Sequence, residues 1–196
     1  AREAKREMPV SLENLYLSWQ SMPGEAETQR IYVLGVPREL IDAQVRALQA
    51  AGIAPFAMDL KPLALVRAIR QPEAIIVSLE QDEMDIVLAI DYVPAIMRTF
   101  SLENEGLDLS GKLERLVSEL NQTVRFYNDS HPDAAIKPST SVFVAGKLLD
   151  DIQVFEQVKR ALDRPVERPI APLPCPPDCP ALVYMTNLGL ALKKVL

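Results

Sequence analysis

The stretch AIIVSLEQDEMDIVL, Ala74 to Leu88, holds two apolar runs joined by a turn with four acidic side chains, Glu80, Asp82, Glu83 and Asp85. Each run is short and apolar, which predicts strands at about 74–79 and 85–90. The turn Asp91-Tyr92-Val93-Pro94 then leads into a third strand, Ala95 to Phe100. Three successive strands with such short connections form an antiparallel meander.

Downstream, Ser110 is placed to cap a long helix whose Leu113, Leu116, Val117, Leu120, Val124 and Tyr127 make one apolar stripe. Beyond the polar segment NDSHPDAAIKPST, Ser141 to Ala145 reads as a buried strand that ends at Gly146. Ile152, Phe155, Val158 and Leu162 mark a further helix, and Pro165-Val166-Glu167 a short last strand. The run PIAPLPCPPDCP suits neither helix interior nor central strand and reads as an extended loop. A terminal helix is expected over Ala181 to Lys194, with lysines at its C-terminal end.

Upstream, helical residues end at Pro9, and Leu15 to Trp19 and Ile31 to Val36 read as strands around the polar turn SMPGEAETQR. Ile41, Val45 and Leu48 recur at helical spacing after Pro37, with Gly52 just past the end. A third strand is expected over Ile53 to Leu60, then a helix from Pro62 that stops before Pro72. Two domains follow, a small one over 1–72 with its connecting helix and a larger one over 73–196.

At 196 residues, 48% of them hydrophobic, the chain is long enough for a real core. No apolar run approaches the roughly 20 residues that span a bilayer, and AREAKREMPV lacks a signal-peptide core, so a cytoplasmic protein is expected. A net charge of -6 and no basic run longer than two residues argue against a nucleic-acid partner. Cys175 and Cys179 are too few for a closed metal site, and His131 lies far away in sequence.

From residue 74 the order is three antiparallel strands, helix, strand, helix, short strand, helix. It resembles one ribonuclease-H-like unit, the α/β half-domain repeated in actin-like ATPases. More specific motifs agree. VPRELIDAQVRALQAAGIAPFAMDLKPLALVRAI (36–69), VPAIMRTF (93–100), LVSELNQTVRFY (116–127), FVAGKLLDDI (143–152) and YMTNLGLALKKV (184–195) resemble segments of type IV pilus assembly proteins of the PilM family, relatives of the cell-division protein FtsA. The resemblance covers nearly the whole chain, and blocks 36–69 and 184–195 are its most specific parts. It makes the first module the small inserted strand-helix-strand subdomain of FtsA-like proteins. It also implies an N-terminal region, with the first phosphate loop, ahead of Ala1.

The same resemblance implies a cytoplasmic scaffold, peripheral at the inner membrane. Such a protein docks the short cytoplasmic N-terminal peptide of a PilN-type inner-membrane partner and meets other pilus platform proteins. Residues of the 31–60 module would line the peptide groove. It further implies that Gly146 and Lys147 belong to the adenosine-side loop, with ATP and Mg as the cofactors of a working site.

Departures from the ATP-binding pattern weaken that last implication. An ATP-binding relative would carry Asp-hydrophobic-Gly in the hairpin, whereas this chain reads Ser78-Leu79-Glu80. Glu80, Asp82 and Glu83 would face a polyanion, at about 1 kcal/mol in water for each like-charge pair near 4 Å. SLENEG at 101–106 has Gly106 alone where a Gly-Gly turn is expected. The phosphate loop therefore reads as degenerate, with no enzyme activity and no cofactor expected. An actin-like ATPase with a diverged loop and a type II secretion platform domain stand as alternatives.

Other chemistries find little support. Ile76-Val77-Ser78 puts no carboxylate in the middle of the first meander strand, against a two-metal nuclease. Ser139, Thr140 and Ser141 have no nearby histidine to activate them. Tyr16, Trp19 and Tyr32 fall in strand positions and read as packing residues.

Overall fold

The computed structural model describes residues 11–22, 29–103, 106–176 and 178–193. The helical residues before Pro9, the middle of the SMPGEAETQR turn and Lys194 lie outside the described residues. The chain divides into two compact units between Met58 and Asp59.

In the first unit, β1 (Leu15–Ser21) and β2 (Ile31–Pro37) pair antiparallel, with Trp19 opposite Val33 and Leu17 opposite Gly35. Pro37 leads directly into α1 (Arg38–Ala50), whose Ile41, Val45 and Leu48 are half-buried as their spacing demands. The helix ends in paired bonds, Gly52 N–H to Gln49 O and Ile53 N–H to Leu48 O, both 2.9 Å. These close a Schellman turn for which Gly52 adopts φ 76°. The strand expected over Ile53 to Leu60 does not form. Pro55 lacks a ladder donor and Phe56 is exposed, so the segment runs as irregular backbone.

The second unit is built on a five-stranded sheet. β3 (Glu73–Leu79), β4 (Glu83–Ile90) and β5 (Val93–Ser101) form the expected meander, while β6 (Val142–Ala145) and β7 (Val166–Glu167) join parallel to β3 in the order β5-β4-β3-β6-β7. A residue-by-residue alternation divides the strands between two cores. Ile75, Val77 and Leu79 pack with Ile86 and Leu88 against α3 (Leu109–Ser130) and α4 (Ile152–Ala161). Ala74, Ile76, Val87 and Ala89 pack instead against α2 (Lys61–Ile69) and α5 (Met185–Ala191). Helices on both faces explain why β3 reads as an unbroken apolar run.

α2 belongs to this second unit, packed on its sheet, although its position in the sequence groups it with the first module. Asp108 caps α3 by accepting from the Gly111 N–H at 2.9 Å, two residues ahead of the expected Ser110 cap. The terminal helix is shorter than expected because the Pro180 carbonyl accepts from Val183 and Tyr184, holding 181–184 in turns. Gly189 lets α5 approach α2 backbone to backbone: a Cβ there would lie 1.8 Å from the Ala64 carbonyl oxygen. Arg67 ties the same joint, donating to Gly189 O at 3.2 Å and pairing with the buried Asp59.

Candidate functional site

The acidic turn sits where β3 hands over to β4. Glu80 N–H donates to Glu83 O at 2.9 Å, closing the hairpin over Gln81 and Asp82. Two further bonds pin its tip. Lys112, buried at the start of α3, donates from Nζ to Gln81 O at 2.6 Å, and Leu102 N–H donates to Asp82 O at 2.7 Å.

The Glu80, Glu83 and Asp85 carboxylates are engaged within the fold. Lys61, the first residue of α2, places Nζ 2.8 Å from Glu83 Oε1 and 2.6 Å from Asp85 Oδ2. Asp85 is buried on β4 between Ser78 and Thr99, and the Thr99 hydroxyl donates to its Oδ1 at 2.6 Å. Desolvation alone pulls the Lys61 ammonium down. The hydrogen bonds and charges of Asp85 and Glu83 outweigh it and raise the group above its ordinary 10.5.

Gly146 and Lys147 lie against this hairpin. β6 runs parallel to β3 with Ser78 opposite Ala145, so the turn after each strand emerges at the same end of the sheet. Gly146 has φ 98°, and a Cβ there would lie 2.6 Å from Leu79 O and 2.8 Å from Leu79 N. The glycine therefore serves a backbone-to-backbone approach of the two turns. Lys147 N–H donates to Glu80 Oε2 at 3.1 Å, while its side chain is exposed. The Lys147 backbone donor thus faces Glu80.

Arg98, in the resemblance's third strand, is also committed. It donates to Thr123 Oγ1 at 2.9 Å, pairs with Glu119 at 3.3 Å and lies 4.7 Å from the centre of the Phe100 ring. Among the described residues no group of three His, Cys, Asp or Glu side chains is placed to hold a metal ion. His131 stacks on Tyr127, and its Nδ1 lies 3.1 Å from Tyr127 O.

Sequence reasoning missed Lys61, Thr99 and Lys112. Lys112 left a readable signal, because it lies one turn before Leu116 on the apolar stripe, where a lysine needs a special partner. Lys61 left none, since its partners lie 22 and 24 residues on and meet it only through the sheet.

In the first unit, α1 covers one face of the β1–β2 sheet. Tyr16 OH donates to Asp42 Oδ1 at 2.8 Å, and the Arg38 guanidinium lies 4.2 Å from the Tyr16 ring centre. Tyr32, on the same face by register, is half-buried, and desolvation raises its phenol. The opposite face carries Leu17, Trp19, Val33 and Ile31.

No sequence family and no characterised protein matches the chain. Solved structures do. The chain is similar to a PilM–PilN type IV pilus biogenesis complex (TM-score 0.64, 18% identity, 97% of this chain and 69% of that one). It is similar to the ethanolamine utilization protein EutJ from Carboxydothermus hydrogenoformans (TM-score 0.57, 16% identity, 80% of this chain and 61% of that one). It is also similar to AlfA in its filament structure, from B. subtilis plasmid pLS32 (TM-score 0.53, 10% identity, 86% of this chain and 52% of that one). The chain thus spans roughly half to two thirds of these proteins' lengths. At such identities the likeness is one of fold. The chain has the actin-like ATPase fold.

Proposed function

We propose that the protein is a scaffold of type IV pilus assembly that binds a peptide of an inner-membrane partner and uses no nucleotide. The observation that carries this reading is the uncovered face of the first unit. Leu17 is 43% exposed, Trp19 70% and Ile31 51%, aligned on one side of a two-stranded sheet. A two-stranded sheet with a single helix is marginal in water, and an apolar strip on such a sheet gains from a cover. The cover we assign is the cytoplasmic N-terminal peptide of a PilN-type protein, in keeping with the fold's likeness to a PilM–PilN complex. Among the described residues no helix is long and apolar enough to cross a membrane, so membrane association would come through that partner.

The hairpin supports the second half of the reading. Glu80 takes the Lys147 N–H, and Glu83 and Asp85 take the Lys61 ammonium, so these two donors are engaged within the fold and not open to a polyphosphate. The rival is an actin-like ATPase with a diverged loop. Calorimetric titration of Mg·ATP into the protein separates them: the scaffold predicts no heat at millimolar nucleotide, and saturable micromolar binding would bring the ATPase forward. Glu80→Gly is expected to create no ATP turnover, because one glycine restores neither the Asp of the pattern nor the Gly-Gly turn. Robust hydrolysis by that variant would contradict the scaffold.

A further inference from the structure

The proline-rich strap between β7 and α5 is tied at both ends to the turn that follows β6. At its start, Arg168 donates to Leu149 O at 3.1 Å and to Asp150 O, and its guanidinium lies 5.2 Å from the Phe155 ring centre. At its end, Leu182 O accepts from Gly146 N–H at 3.0 Å. Cys175 and Cys179 lie in the middle of this strap, both free and both half-buried.

A local turn separates the two cysteines, which stand four residues apart. Cys179 N–H donates to Pro176 O at 3.0 Å, folding the chain back beside Cys175. Cys175 Sγ donates to Leu173 O at 3.4 Å, which turns its thiol along the strap. Desolvation, then the Cys175 sulfur and Asp178, push the Cys179 thiol up. Prolines 172, 174, 176 and 180 limit the backbone freedom that closing a ring across this segment would remove. Among the described residues no third ligand joins the two sulfurs, and a pair of free thiols is competent for thiol–disulfide exchange.

We propose that Cys175 and Cys179 are a redox-active dithiol whose intrachain disulfide tightens the strap over residues 146–150. The oxidant is a low-molecular-weight disulfide, R–S–S–R. Cys175 releases its proton to solvent, and its sulfur attacks one sulfur of the oxidant, forming a mixed disulfide and expelling RS⁻. Cys179 then loses its proton to solvent and attacks the Cys175 sulfur, closing the ring and expelling a second RS⁻. Both cysteines are oxidised, and R–S–S–R is reduced to two thiols. The site belongs to the second unit, and the proposal stands whether or not the face of the first binds a partner.

The test equilibrates the intact protein in glutathione buffers of graded ratio, quenches with acid, and reads intact mass and hydrogen exchange. The expected product is a monomer lighter by two hydrogens, with Cys175→Ser and Cys179→Ser each stopping at a single glutathione adduct. Slower amide exchange over 146–150 in the oxidised form is the expected mark of tightening. Two separate glutathione adducts on the native chain, or a disulfide-linked dimer, would overturn the dithiol. A ring that forms with exchange over 146–150 unchanged would overturn the coupling to the strap.

Discussion

On the β1–β2 sheet, Leu17, Trp19 and Ile31 face outward, while on β3 Ile75, Ile76 and Val77 are at most 1% exposed on either face. The two sheets use similar residues to opposite ends. β3 lies between α3 and α4 on one side and α2 and α5 on the other, so every side chain of its interior contributes burial. Among its described residues the first unit has a single α-helix for two faces, and Leu17, Trp19 and Ile31 on the other face are exposed. Ion pairs follow the same division. The second unit closes its acidic hairpin with its own lysines, whereas the Arg38, Tyr16 and Asp42 cluster of the first sits at the surface.

The contrast breaks most readily at the joint between α2 and α5. Gly189→Val drives a branched side chain into the Ala64 carbonyl and should cost about 3 kcal/mol or more in urea unfolding of the second unit. A neutral result would mean that these helices are not packed backbone to backbone. Lys61→Met comes next, at about 3 kcal/mol, since it leaves the Asp85 carboxylate buried and unpaired. The double variant Lys61→Met, Asp85→Leu should recover most of that loss, and a double variant worse than the single would show that the pair does more than neutralise itself.

The pH dependence has a defined sign. The folded state raises Lys61 above 10.5, so its contribution is fully present below 10.5 and is lost as pH climbs through the higher folded value. Denaturant midpoints of the native chain and Lys61→Met should therefore differ by a constant amount at neutral pH and converge only above 10.5. Convergence at neutral pH would contradict the pairing. A smaller effect, about 1 kcal/mol, is expected for Glu80→Ala, which removes the acceptor of the Lys147 N–H at a half-buried position. The smallest belongs to the first unit: Trp19→Ala should shift stability by no more than about 0.5 kcal/mol, because the ring is already mostly in water.

How far the sequence could be read follows the same line. The meander at 73–101 was legible because buried runs and short turns are local signals, and the α3 stripe because its period is helical. The strand expected over 53–60 failed because an apolar run says nothing about whether a neighbouring strand exists to pair with it. Within the site, Gly146 and Lys147 could be singled out from motif likeness, and their contact with Leu79 and Glu80 could not. That contact spans 67 residues and depends on the parallel register of Ser78 with Ala145.

Trp19 is the single tryptophan of the chain, and it stands at the centre of the uncovered face. Its fluorescence during titration with a peptide from the cytoplasmic N-terminus of a PilN-type protein therefore reads the proposed surface directly. A saturable blue shift, absent when the same peptide meets Leu17→Ser, Ile31→Ser protein, is the predicted result. An emission that stays at its solvent-exposed wavelength while the peptide binds, or no binding at all, would contradict the assignment of this face.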